Sequence, residues 1–175
     1  MKNRDPLLMA GLVMTYLLMG LTLLVAIFLI AMIPGLFLFS ADFGEAVTAS
    51  GGDSVGAALA ASITLLALGA TMTIGGFFFF KILSNLIGTV ASGSPFTIEN
   101  SKRLSLMGWI SLVFQIATIP VSVLVVFLKD LVPVENLTVD FDFSLTGILL
   151  AIVLFILARV FKLGAEMRDD LEGTV

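Results

Sequence analysis

Residues 7–39 read LLMAGLVMTYLLMGLTLLVAIFLIAMIPGLFLF, 33 positions without one charged side chain. About 20 apolar residues carry a helix across about 30 Å of hydrocarbon, so this stretch spans a bilayer with residues to spare. Three further stretches, 55–80, 104–128 and 145–163, are similarly apolar, the last carrying Arg159 and Lys162 near its end. Over the whole chain 59% of residues are hydrophobic and 13% charged. A water-soluble domain carries roughly a quarter charged residues. The expected fold is all-α: a polytopic membrane protein with four transmembrane helices in an antiparallel bundle. Little remains for a separate globular part, so residues 1–175 read as a single membrane domain.

The first stretch far exceeds the roughly 7–15 apolar residues of a signal-peptide core, and it is expected to stay as a span. Asp5-Pro6 suits a helix start, because Asp caps free N–H groups and Pro needs no donor in the first turn. Pro34-Gly35 is expected to kink or end that helix near Ile33. The second stretch is rich in small residues, with Gly69, Thr73 and Gly76 as the candidate helix-packing positions. Small residues four apart let backbones approach closely in lipid. That face packs inside the bundle or against a second copy in a homo-oligomer, and the first reading is preferred. A weak echo links FLIAMIP at 28–34 with FQIATIP at 114–120, as two duplicated hairpins would leave.

Lysine and arginine set the threading. Eight of the nine lie on one side of the four stretches. Lys2 and Arg4 precede the first, Lys81, Lys102 and Arg103 lie between the second and third, and Arg159, Lys162 and Arg168 end or follow the fourth. The other two connections carry Lys129 against Asp42, Glu45, Asp53, Asp130, Glu135, Asp140 and Asp142. The positive-inside rule then makes both termini, the 81–103 loop and the 164–175 tail cytoplasmic, and the acidic loops external. Membrane lipids are the first partners implied.

The chain has no cysteine and no histidine. Disulfides, thiolate metal sites and thiol catalysis are excluded, together with the commonest general base. The apolar stretches hold no Asp or Glu, which counts against an ion-coupled transporter, a pump or an intramembrane hydrolase. No phosphate loop, metal constellation or nucleophile–base pair is visible, so no catalytic, cofactor or metal residues are assigned and no enzyme is expected. Residues 137–144 alternate apolar and polar side chains, the pattern of a short external strand. Its Asp140 and Asp142 are too few for a calcium site, which takes six to eight oxygens. Asn136-Leu137-Thr138 fits the glycosylation sequon.

Two cytoplasmic segments carry the ordered polar signatures. GSPFTIENSKRL, at 93–104, offers Pro95 as a turn former, Thr97 as an N-cap and a Glu99/Arg103 pair at helical spacing. FKLGAEMRDDLEGTV, at 161–175, places Lys162/Glu166 and Arg168/Glu172 four apart. Its Asp169, Asp170 and Glu172 crowd a helix C-terminus, where acids are disfavoured by about 0.3–1 kcal/mol each. A basic partner should compensate, and Lys102 or Arg103 is on the same side of the membrane. Pro95, Phe96, Asn100, Lys102, Arg103, Arg168, Asp169 and Asp170 are therefore the candidate partner-binding residues.

These two motifs, with the Phe141-Asp142-Phe143-Ser144 run, resemble the domain-of-unknown-function family 2975. The resemblance implies a small prokaryotic four-span membrane protein, multi-pass in the plasma (inner) membrane. It also implies partnership with a small helix-turn-helix regulator, whose gene often lies beside those of the family. It assigns no catalytic residue. The expected function is a non-enzymatic regulatory or sensor protein that binds a cytoplasmic protein through the middle loop and tail, with no direct nucleic-acid contact. The alternative is a transport or permeability component with a pore lined by Thr, Ser and Gln115.

Overall fold

The computed structural model describes residues 6–132 and 145–172. Among the described residues it is all-helical: α1 (Pro6–Leu38), α2 (Ser40–Ala49), α3 (Val55–Ala91), α4 (Ile98–Leu131) and α5 (Thr146–Glu172). Four of these, α1, α3, α4 and α5, are long and apolar enough to cross a membrane. The chain is in that sense a multi-pass membrane protein. The strand expected at 137–144 and the sequon at Asn136 lie outside the described residues.

Two boundaries differ from the sequence reading. Pro34 does not end α1 but sits inside it, as Pro120 sits inside α4. A proline forfeits one backbone hydrogen bond, whereas a helix end in an apolar surround strands several groups. The turn beyond Pro34 is closed by the Phe39 N–H on the Gly35 carbonyl at 3.0 Å. The 81–103 loop is mostly helix, because α3 runs on to Ala91 and α4 begins at Ile98, leaving a connector at 92–97. Ile82, Leu83 and Leu86 drive this extension by packing against the core of α4 and α5. The tail is helical through Glu172 as a continuation of α5, in keeping with the i, i+4 spacing of its charged pairs.

A short helix, α2, was not expected. Its inward face is little more than buried Val47 and half-buried Phe43, an i, i+4 pair. It stops in the same way as α3. Ala49-Ser50-Gly51 and Ala91-Ser92-Gly93 each put the glycine at positive φ, 87° and 85°. In each the glycine N–H reaches back three residues and the next N–H five: Gly51 to Thr48 and Gly52 to Val47, Gly93 to Val90 and Ser94 to Thr89. The serine hydroxyls do likewise, Ser50 to the Val47 carbonyl at 2.7 Å and Ser92 to that of Thr89 at 2.8 Å. Both are Schellman caps, in which glycine adopts a conformation that other residues reach only with strain.

Contacts gather into two compact units. One holds α1 up to Leu21, α3 from Gly75, α4 up to Gln115 and all of α5; the other holds Thr22–Ile74 and α4 from Ile116. The first is built around Leu104, Met107, Leu154 and Ala158, with Phe79, Ile82, Leu83, Leu86 and Phe161 packed against them. Three of its glycines, Gly75, Gly108 and Gly164, receive aromatic rings. A Cβ at Gly75 would lie 2.7 Å from Phe114, and one at Gly108 would lie 2.8 Å from Phe155. Between α4 and α5 the contacts run in opposite chain order: Phe96 with Phe161, Ser101 with Ala158, Gly108 with Phe155, Gln115 with Gly147.

The second unit buries Ala26, Val47, Ala58, Ala61 and Ala70. Its Gly52 backbone abuts the Leu131 carbonyl, and Gly69 faces Leu29. In this unit the buried side chains are small apart from Val47, while large ones point outward, as Leu24 does at 67% exposure. Lipid is as apolar as leucine, so close backbone approach, not burial of large side chains, favours association here.

The candidate packing positions divide accordingly. Gly69 meets only the mobile end of Leu29, at 3.4 Å for a built Cβ. The Thr73 hydroxyl turns back onto the Gly69 carbonyl, and Gly76 is half-buried. The tightest approach on this part of α3 falls at Gly75. Gly75→Leu is therefore expected to destabilise by about 1–3 kcal/mol through overpacking. Gly69→Leu should cost less, and Val13→Leu, at a position 53% exposed, should be neutral. Thermal unfolding in detergent checks the order, and equal midpoints for Gly75→Leu and Val13→Leu would refute it.

Candidate functional site

The 92–97 connector and the start of α4 form a clasp around one side chain. Thr97 precedes the first turn of α4, and its hydroxyl accepts the Asn100 N–H at 3.1 Å, an N-cap as the sequence suggested. The Asn100 side chain is fully buried. Its Nδ2 donates to Thr89 Oγ1 on α3 and to the Pro95 carbonyl, each at 2.7 Å. Its Oδ1 accepts from Arg103 Nη1 at 2.9 Å. Thr89 in turn donates to the Leu86 carbonyl at 2.7 Å. An amide carries two donors and one acceptor group, and here each finds a partner on a different segment. Burial without such partners would cost about 1–3 kcal/mol per group.

The clasp meets α5 through apolar contact and one hydroxyl. The ring of Phe96 packs on Phe161 with centroids 5.2 Å apart. It also lies against Gly164, where a Cβ would come within 2.7 Å of it. Ser101 Oγ donates to the Ala158 carbonyl at 2.8 Å, tying α4 to α5 directly. The middle segment and the tail helix therefore meet. Pro95, Asn100 and Arg103 sit in one hydrogen-bonded cluster, and Phe96 sits on α5. Lys102, Arg168, Asp169 and Asp170 are exposed. The Lys162–Glu166 pair forms at 3.7 Å with both side chains half-exposed, so it stabilises α5 by no more than a few tenths of a kcal/mol, about what exposed helix pairs give. The Glu172 side chain lies outside the described residues.

Thr89, Ser101, Phe161 and Gly164 belong to this assembly and were not singled out from the sequence. Gly164 left a signal. Glycine inside a helix is about 1 kcal/mol worse than alanine, so its presence there marks a packing demand. Gly93 followed by Pro95 is likewise the sequence mark of a Schellman cap and would have placed the end of α3. Thr89 and Ser101 carry no such mark. Among the described residues no three His, Cys, Asp or Glu side chains come together as a metal site. Comparison of the chain with protein-family models, curated proteins and solved structures returned no match.

Proposed function

We propose that this chain is a non-enzymatic regulatory protein of the prokaryotic plasma membrane. Its four spans form an antiparallel bundle with both termini cytoplasmic, and it binds a cytoplasmic protein on the surface made by the 92–97 connector and the end of α5. One observation carries the reading: the connector is hydrogen-bonded through the Asn100 cluster to α3 and α4 and seated on the tail helix by Phe96. A connector that served only to join two spans would need neither. Around it Lys102, Arg168, Asp169 and Asp170 present charge to solvent. The expected pairing of Arg103 or Lys102 with Asp169 or Asp170 is not part of this proposal, because Arg103 turns to Asn100 and Lys102 stands level with Ala158, about 16 Å along α5 from Asp169. The resemblance to family 2975 supports a small helix-turn-helix regulator as the partner. The hydroxyls of Thr64, Thr71 and Thr73, which a polar pore would present, are donated to carbonyls of their own helix. That favours regulation over transport.

Two measurements test this. Reporter fusions after Val175 should read as cytoplasmic, and those near Asp53 as external; a cytoplasmic reading at Asp53 breaks the four-span threading. Affinity purification from native membranes should recover one cytoplasmic protein in fixed ratio, lost on Asp169→Lys with Asp170→Lys and on Lys102→Glu. Recovery unchanged by all three substitutions places the partner surface elsewhere.

A further inference from the structure

We propose that the seam between α4 and α5 holds the headgroup of an anionic phospholipid, clamped by Lys102, Arg159 and Lys162. The proposal needs the membrane placement of the helices but not the protein partner. The Ser101–Ala158 hydrogen bond fixes which faces of the two helices meet. Successive residues turn by about 100° around a helix axis. Because the contacts of α4 and α5 run in opposite chain order, the residue after Ser101 and the residue after Ala158 emerge on the same side of the seam. These are Lys102 and Arg159, both exposed. Lys162, four residues beyond Ala158 and also exposed, rises on that side one turn further along α5. Cations from two helices therefore share one groove mouth.

Deeper in the same groove lies an aromatic floor. Trp109 follows Lys102 by two turns, about 10 Å along α4. It is 59% exposed, and its indole stands edge-on to Phe155 with centroids 5.6 Å apart. The same rotation carries Trp109 and Phe155 to the side on which the three cations emerge. Positive charge at the polar boundary with tryptophan below it is the order in which a phospholipid presents phosphate and acyl chain. A free phosphate ion would use the cations and leave the aromatic pair unused, so a lipid is the better occupant.

Charge selects the class of lipid. The chain's net −4 comes from the acidic loops across the membrane, farther away than a Debye length, so the attraction at this groove is set by the local cluster. A zwitterionic headgroup would bring its own ammonium against three cations. Glu166 also lies on this side and pairs with Lys162 at 3.7 Å. That half-exposed contact is loose enough for a phosphate to displace it.

Native mass spectrometry of the full-length protein in mild detergent tests the site, with phosphatidylglycerol, phosphatidylcholine and inorganic phosphate as separate probes. Phosphatidylglycerol should be retained about tenfold better than phosphatidylcholine, and inorganic phosphate should not displace it. Lys102→Gln, Arg159→Gln and Lys162→Gln together should weaken retention about 100-fold, at roughly one surface cation's contribution each. Lys129→Gln, in the other unit, should leave it intact. Glu166→Gln should strengthen retention, which tests the site even if the triple variant unfolds in lipid-free detergent. Equal retention of the two lipids overturns the proposal, as does full retention by a folded triple variant. Displacement by inorganic phosphate would also overturn it, leaving only a general anion site.

Discussion

Asn100→Ala should lower the unfolding free energy by about 2–4 kcal/mol, more than any other single polar change in the described residues. Asn100 is fully buried and satisfies Thr89, Pro95 and Arg103 together. Alanine removes the bonds while leaving those partners in place, so the loss is the desolvation of groups no longer matched. Asn100→Asp should be nearly as damaging. It keeps an acceptor for Arg103 but turns a second acceptor toward the Pro95 carbonyl. Chemical unfolding in detergent gives the magnitude, and limited proteolysis of the 92–97 connector gives the location. A loss below about 1 kcal/mol with an uncut connector would show that the cluster does not organise this end of α4.

The second large effect is at Gly52. A Cβ there would strike the Leu131 carbonyl and stand 2.8 Å from Val47 Cγ1 and 3.0 Å from the Val47 carbonyl. Two of those atoms are backbone and cannot rotate aside. Gly52→Ala should therefore cost about 2–3 kcal/mol, at the upper end of what overpacking exacts. Its neighbours separate the causes. Gly51 has open space but a φ of 87°, so Gly51→Ala should cost about 1 kcal/mol, from backbone strain alone. Gly56 has open space on a helix, where alanine is the better former, so Gly56→Ala should be neutral or mildly stabilising. Thermal midpoints for the three variants should fall in that order. If Gly52→Ala unfolds no earlier than Gly51→Ala, Gly52 is not packed against Leu131 at the end of α4.

Much of the fold could be read from composition because the relevant signal is long. A run such as 7–39 offers no alternative to an apolar helix, and four such runs leave little room for another architecture. The boundaries were less legible. At Pro34 the local rule allows a kink or an end, and the end is not taken because it is priced for water, where stray carbonyls find partners. At 81–91 the appearance of Lys81 suggested the edge of the span, yet Ile82, Leu83 and Leu86 carry the packing that extends α3. Helix α2 rests on Phe43 and Val47, too short a pattern to separate from loop. The candidate site was legible in part. Thr97 announced its cap, and Asn100 and Phe96 stood in the right segment. That Asn100 would be buried, and Phe96 laid on Gly164, depends on α5 arriving beside α4, which local sequence does not encode.

The seat of Phe96 has a mechanical consequence. Its ring fits only because position 164 carries no side chain. The neighbours at that height on α5 are Leu163 and Ala165. A helix that advances by one residue climbs about 1.5 Å and turns about 100°, so any small slide or twist drives one of them toward the ring. Packed contacts of this kind have discrete resting positions and not a continuum. Gly164 is a detent: α5 is indexed against the connector and leaves its notch only by lifting the ring out. Any slide of α5 past the 92–97 connector would therefore have to move in steps, each lifting the ring from one seat to the next.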